Sequence, residues 1–305
     1  MAVFKSYRFL IIKGLLILLV MIAIDQILGI GFRYVATHPK DGDKKWEYYE
    51  MCQSTPDIAI FGSSRALHHY DTRVLGYSLH GVVINYGQGG YGVIYGYAKL
   101  QAVLQRKVPR IIILDVFSAY DFEEDDNIKY IAPLRRFTDI DPVASVVYDI
   151  DPLERWKQLC QTYRWNSEWY YYLRDALVVR PIDYRFNGFF PIYDYKGLTE
   201  EIRDADVVKY DPIKLDYLKR FIYEASVESK LFVIVSPYYH AGSSKTYNVV
   251  QEICKEANVP FFNFWNQEDP INQNAGYFSD RCHLNAEGAI KFSSIVAHLV
   301  KTEMN

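Results

Sequence analysis

The chain has 305 residues, half of them apolar and 23% charged, a balance that fits a globular chain with a sizeable core and excludes a disordered one. Its formal net charge of −3 leaves no basic footprint for nucleic acid. The four cysteines, Cys52, Cys160, Cys254 and Cys282, contain no C-x-x-C pair, which argues against a zinc ribbon or a thioredoxin-like motif; two disulfides or four free thiols are both consistent with their number.

The first 35 residues read as a membrane anchor. Lys5 and Arg8 precede an apolar run from Phe9 to Ile24 in which Lys13 is the only charge, and Ile27 to Phe32 extends the run beyond Asp25. A span of the bilayer needs about 20 mostly apolar residues, so the segment suffices if Asp25 lies close to the far interface. A cleaved signal peptide is the competing reading, but no A-x-A-like site follows the run. The basic flank places the N-terminus in the cytoplasm and the rest of the chain on the extracytoplasmic side, periplasmic or extracellular. Residues 36–55 are polar, with a Pro and a Gly, and read as a linker.

A domain is expected over 56–305. Apolar runs at 57–61, 82–85, 111–116, 231–236 and 260–264 have the length and continuity of buried parallel strands. Helical segments are expected at 64–79, 91–107, 211–229, 243–257 and 285–302. The alternation predicts an α/β fold: a doubly wound, parallel five-stranded sheet sandwiched by helices. Residues 121–205 break the rhythm as a largely helical insertion, opening with the acidic stretch DFEEDDN, read as a solvated loop, and closing with an irregular or hairpin excursion at 180–197.

Three stretches carry candidate chemistry. In FGSSR (61–65), Ser63 and Ser64 stand where the first strand gives way to a helix. A serine there is an ordinary helix cap, or a nucleophile beyond the carboxyl end of a strand, where ligands bind open parallel sheets. INYGQGGYG (84–92) follows the second strand, and its glycines let a backbone N–H approach a ligand closely. Finally, Asp280 and His283 stand three residues apart before the last helix, close enough for the carboxylate to fix one imidazole nitrogen and leave the other to face a hydroxyl. Asn285 is a candidate cap of that helix. Arg65 is either a ligand for a carbonyl or anion or a solvated arginine. His68 is an alternative base of poor geometry, and the adjacent His68 and His69 point apart on a helix and lack the partners of a metal site.

Together these stretches resemble the SGNH, or GDSL-type, hydrolase superfamily over residues 57–120 and 206–305. Gly62-Ser63-Ser64 matches the G-D-S block, Asn85 and Gly90 the Asn and Gly of the second block, and Asp280, His283 and Asn285 the closing D-x-x-H-x-N. There is no G-x-S-x-G elbow of an ordinary α/β-hydrolase. The resemblance implies Ser64, His283 and Asp280 as catalytic residues, with backbone N–H groups of Ser64 and Gly90 as the oxyanion hole. Ser63, Arg65, Asn85 and Ser118 are candidate substrate contacts. No cofactor or metal is implied. The family's third block, G-x-N-D, is absent: residues 117–120 read Phe-Ser-Ala-Tyr, with Ser118 as the stand-in for the missing donor. An FGSS block behind an anchor is also similar to the membrane-tethered branch that includes D-alanyl transfer proteins of teichoic acid loci and alginate acetylation proteins. The implied function is a membrane-anchored serine esterase or O-acyltransferase, acting on O-acetyl or other acyl groups of a cell-surface or exported polysaccharide. A membrane acyltransferase is the implied protein partner. The alternative is a catalytically inactive carbohydrate-binding or acyl-transfer adaptor protein.

Overall fold

The structure is a computed structural model that describes residues 2–166, 168–177, 186–195, 197–198, 201–205, 209–266 and 268–304. Five strands, β1 (Ile58–Phe61), β2 (Val83–Asn85), β3 (Ile111–Asp115), β4 (Lys230–Val235) and β5 (Phe261–Asn263), form one parallel sheet in the order β2-β1-β3-β4-β5. Each expected strand is present, to within a residue or two at its ends.

The alternation of side chains along each strand divides the core in two. Ala59, Phe61, Ile112, Leu114, Leu231 and Val233 face helices Val93–Leu104 and Pro212–Glu228; Ile58, Ile60, Ile111, Ile113, Phe232 and Ile234 face helices Thr72–Leu79 and Ala286–Met304. Because both faces are covered, the strands can be apolar throughout, which is why they read as continuous runs. The chain crosses from one side of β1 to the other between β2 and β3, so the carboxyl ends of β1 and β3 flank the point where doubly wound folds place their ligands.

Three expectations need correction. Residues 64–79 do not form one helix: the chain breaks at Tyr70–Asp71, and the buried Asp71 carboxylate caps a second helix by accepting from the Arg73 N–H at 2.9 Å. Residues 36–55 are not a slack linker. The first helix runs unbroken from Ala2 to Thr37, and a helix Asp43–Cys52 then buries Met51 in the core. That second helix is clamped by a buried ion pair, Glu50 to Lys99 at 2.7 Å, and by Arg106, which donates to the carbonyls of Glu50, Met51 and Ser54. The acidic stretch is not all solvated either: Asp121 is fully buried, with its carboxylate on the Phe117 N–H at 2.6 Å, and burial raises it to about 7.

The insertion is a string of short helices, including Asp141–Ile150, Glu154–Lys157, Gln161–Arg164 and Trp169–Leu177. Of the excursion at 180–197, residues 180–185 and 196 lie outside the described residues. The remainder contains a two-residue hairpin, Phe186 bonded to Phe189 in both directions at 3.0 Å, with Asn187 and Gly188 both at positive φ as a type I′ turn requires. All four cysteines are free thiols. Within the first helix, Tyr7–Thr37 is long and apolar enough to cross a membrane, with a window of mean hydropathy 2.5.

Candidate active site

Ser64 opens the short helix that follows β1, so its own N–H has no partner within the helix, and the side chain is half-buried at the rim of the sheet. Its Oγ lies 2.8 Å from Nε2 of His283, a residue 219 positions later. The Nδ1 of the same ring lies 2.9 and 3.0 Å from the two carboxylate oxygens of Asp280. A carboxylate can only accept, so Nδ1 carries the imidazole proton and Nε2 is left to accept from the serine hydroxyl. The structure therefore brings Ser64, His283 and Asp280 into one hydrogen-bonded line.

Asp280 does more than orient the ring. Its Oδ1 also accepts the backbone N–H groups of Cys282 at 2.9 Å and His283 at 3.0 Å, so the turn is wound around the carboxylate. Burial works to raise this carboxyl, but the hydrogen bond and charge of His283, with those N–H groups, hold it below its ordinary value. Asn285 sits one turn further, donating to the Gly276 carbonyl at 2.7 Å while its side-chain oxygen accepts the Gly288 N–H at 2.9 Å.

The glycine-rich loop reaches the same place. Tyr91 N–H bonds to the Gln88 carbonyl at 3.1 Å, closing a tight turn with Gly90 at its third position and φ of 79°. With Gly89 at negative φ, this is the type II pattern, which demands a residue tolerant of the left-handed region there. A Cβ placed on Gly89 would lie 3.8 Å from the Ser64 Cβ, so the turn runs alongside the serine, and neither Gly89 nor Gly90 N–H has a hydrogen-bond partner among the described residues.

Beneath the rim lies a buried polar network that the sequence reading missed. His69 is fully buried between β4's end and the histidine loop: Nδ1 lies 2.9 Å from the Ser236 Oγ, and Nε2 accepts the Leu284 N–H at 3.0 Å. Accepting at Nε2 places the proton on Nδ1. Burial, then the charge of Arg65, push this imidazole well below its usual value, which agrees with Nε2 acting as an acceptor. It is the strut between the Ser64 helix and the residue after His283. The signal for it was there in the paired histidines at 68 and 69, but only the fold says which of the two faces inward. His68 is bonded through Nδ1 to the Phe190 carbonyl at 2.7 Å and packs its ring edge-on to His283, 5.3 Å between centroids; it does not reach Ser64 as a base.

The remaining candidate contacts are placed elsewhere. Arg65 is neither solvated nor at the rim: it is fully buried, donates to Ser236 Oγ at 3.1 Å and to the carbonyls of Ser236 and Pro237, and lies over the Phe117 ring at 4.9 Å. Asn85 is fully buried too, donating to the Ala66 carbonyl at 2.7 Å and accepting the Gly87 N–H at 2.9 Å, so it ties the serine helix to the glycine loop. The Ser63 hydroxyl is buried without a partner among the described residues. Ser118 is buried, its N–H lies 3.5 Å from the Tyr247 hydroxyl, and among the described residues no hydrogen bond joins it to Ser64. Among the described residues no group of three or more His, Cys, Asp or Glu could hold a metal ion.

No family model matches the sequence, and no curated protein does. Among solved structures, a two-domain esterase (CEX) active on acetylated mannans is similar over 80% of this chain and 48% of its own, with 13% identity and a TM-score of 0.41. A family two carbohydrate esterase from Clostridium thermocellum, in complex with cellohexaose, is similar over 81% of this chain and 64% of its own, with 9% identity and a TM-score of 0.37. The chain thus covers less than two thirds of the length of each.

Proposed function

We propose that the protein is a serine esterase or O-acyltransferase of SGNH type, held at the outer face of a membrane by its N-terminal helix and acting on acyl esters of a polysaccharide. The observation that carries this reading is the line from Ser64 Oγ to His283 Nε2 at 2.8 Å and from His283 Nδ1 to Asp280 at 2.9 Å. In this reading the Ser64 oxygen attacks the ester carbonyl as its proton passes to Nε2, and Asp280 stabilises the resulting imidazolium. The N–H groups of Ser64 and Gly90 receive the oxyanion. Collapse of the tetrahedral adduct breaks the ester C–O bond, the leaving alkoxide takes the proton from His283, and Ser64 is left acylated. Water resolves that intermediate in an esterase; a sugar hydroxyl resolves it in a transferase, with His283 again taking the proton. The glycan enters from the resemblance and from the supply of aromatic faces, 27 Tyr and five Trp, which suit sugar rings.

The rival reading, an inactive binding protein, starts from the donor that the resemblance expects in the absent third block: at the end of β3 the Ser118 N–H lies 3.5 Å from the Tyr247 hydroxyl. Loss of one such donor lowers turnover by about 100- to 1,000-fold, so a slow enzyme is the expected one. A fluorophosphonate probe separates the readings. The full chain in detergent is expected to become covalently labelled at Ser64, with Ser64→Ala abolishing labelling and the release of acetate from acetylated xylan or mannan. Absence of labelling together with retained glycan binding would leave the inactive binding protein as the function.

A further inference from the structure

Two segments of the insertion are inside out for a chain in water. The helix Glu154–Lys157 hides its acid: Glu154 is fully buried, accepting from Arg135 at 2.9 Å and from the Tyr163 hydroxyl at 2.5 Å. Its apolar neighbours point outward instead, Leu153 being 61% exposed, Trp156 68% and Leu159 64%. The helix Trp169–Leu177 repeats the pattern, burying Asp175 while Tyr170, Leu173 and Leu177 are exposed. Exposed apolar groups are ordinary singly, but clustered and next to buried carboxylates they mark a surface that meets something apolar.

The first helix says what that is. Asp25, the one acid in its apolar stretch, is docked on the insertion: its carboxylate accepts the Gln161 N–H at 2.7 Å and the Thr162 N–H and hydroxyl, each at 2.8 Å, capping the helix Gln161–Arg164. Gln26 Nε2 donates to the Leu159 carbonyl at 3.0 Å, and Phe32 packs on Trp165 with centroids 6.3 Å apart. The segment Tyr7–Ile24 that precedes the dock is about 27 Å long at helical rise, close to the roughly 30 Å of a bilayer's hydrocarbon core. Asp25 therefore stands at the level where hydrocarbon gives way to headgroups, and Leu159, bonded beside it, stands at that level too.

We infer that Leu153, Trp156 and Leu159 form a second membrane contact, seated in the interfacial layer of the same bilayer that the N-terminal helix spans. This rests on the membrane reading proposed above and adds to it that the domain lies on the lipid surface at a fixed orientation. Tryptophan and leucine suit that layer, where an apolar ring and a polar edge are both satisfied. The buried Glu154 and Asp175 then have a reason: neither carboxylate faces lipid.

The test uses the full chain reconstituted in phosphatidylcholine vesicles, with and without brominated acyl chains, which quench tryptophan on contact. Trp156→Phe is expected to remove part of the bromine-quenchable emission. Two added tryptophans calibrate the scale: Leu18→Trp within the apolar helix is expected to add quenchable emission, and Tyr77→Trp, on a residue 85% exposed in the globular domain, unquenchable emission. If Leu18→Trp is quenched but Trp156→Phe leaves the quenchable emission unchanged, the second contact is overturned while the anchor stands, and a protein partner covers this face instead. If Leu18→Trp is not quenched either, the anchor and the inference fail together. Fluorophosphonate labelling of Ser64 is read on the same samples, so loss of the enzymatic reading is scored separately from loss of the membrane one.

Discussion

The ends of β1 and β3 lie side by side in one sheet, in register from Ile58–Ile111 to Phe61–Leu114, yet the chain leaves the two strands in opposite ways. After β1 it turns a hydroxyl outward, and the groups that steady it, Arg65, His69 and Asn85, lie behind it out of solvent. After β3 the polar groups turn inward: Asp115 is fully buried, held by the Tyr70 hydroxyl at 2.6 Å, and Asp121 and Ser118 are closed in beneath Phe117 and Tyr247. One strand end presents a hydroxyl to a second loop, and its neighbour turns its polar groups into the core. A polar residue at a strand's carboxyl end is therefore not by that fact a ligand contact. The deciding factor is whether a second loop arrives to meet it, as the His283 loop meets Ser64.

Substitutions at the two ends put that contrast at risk. The largest effect is expected at the first: His283→Ala should lower the rate of ester cleavage by about four to six orders of magnitude, measured as single-turnover acylation, as should Ser64→Ala. Asp280→Asn should lower kcat by about 10,000-fold, because an amide NH2 facing Nδ1 favours the wrong tautomer. His69→Ala leaves the Leu284 N–H without its acceptor, and the His283 loop is expected to drift. A misplacement of that kind lowers kcat by about 100-fold, with KM little changed, and His69→Gln, which keeps an acceptor, should recover most of it. Ser118→Ala should change kcat/KM less than twofold. A large loss there would show that β3 supplies a donor after all and would erase the contrast.

Acid gives a further handle. Since the Asp280 carboxyl is held below its ordinary value in the fold, it binds its proton less readily folded than unfolded, and its contribution to stability is fully present above the unfolded value near 3.9. That contribution fades as pH falls through the folded value. Urea unfolding of wild type and Asp280→Asn should therefore differ most near pH 6 and converge as pH falls below the ordinary carboxyl value of about 3.9. Glu47, held at about 2 against the burial that would raise it by Arg136 and Lys44, sets a second and wider acid-sensitive window, from about 4.5 down to about 2. Glu47→Gln should narrow it.

Much of the fold was legible because the strands are covered on both faces and so carry unbroken apolar runs. The residues that meet at the rim were legible because Asp280 and His283 share one short turn and Ser64 stands at a strand end. The features that escaped are those that depend on a partner distant in sequence. Polar composition made 36–55 look slack, since nothing local reveals that Glu50 pairs with Lys99 or that Met51 enters the core. Arg65, read as a ligand for a carbonyl or anion or as a solvated arginine, and Asn85, a candidate substrate contact, gave no local sign that Ser236 and Ala66 hold them from within. The break at Tyr70–Asp71 lacks a Gly or Pro, and the hydroxyl of Ser293, which takes the Asp71 N–H at 2.7 Å, is 222 residues away.

The hairpin at Asn187–Gly188 ties the insertion to the elements on either side of Ser64. The Asn187 carbonyl takes the Asn85 N–H at 2.9 Å, Phe190 N–H holds the Leu67 carbonyl at 3.0 Å, and Gly188 presses so closely on Asn85 that a methyl group has no room. An alanine at position 188 would push on Asn85, at the end of the strand that launches the glycine loop. A turn more than a hundred residues from Ser64 in the chain is thereby wired to the strand and the helix that flank it.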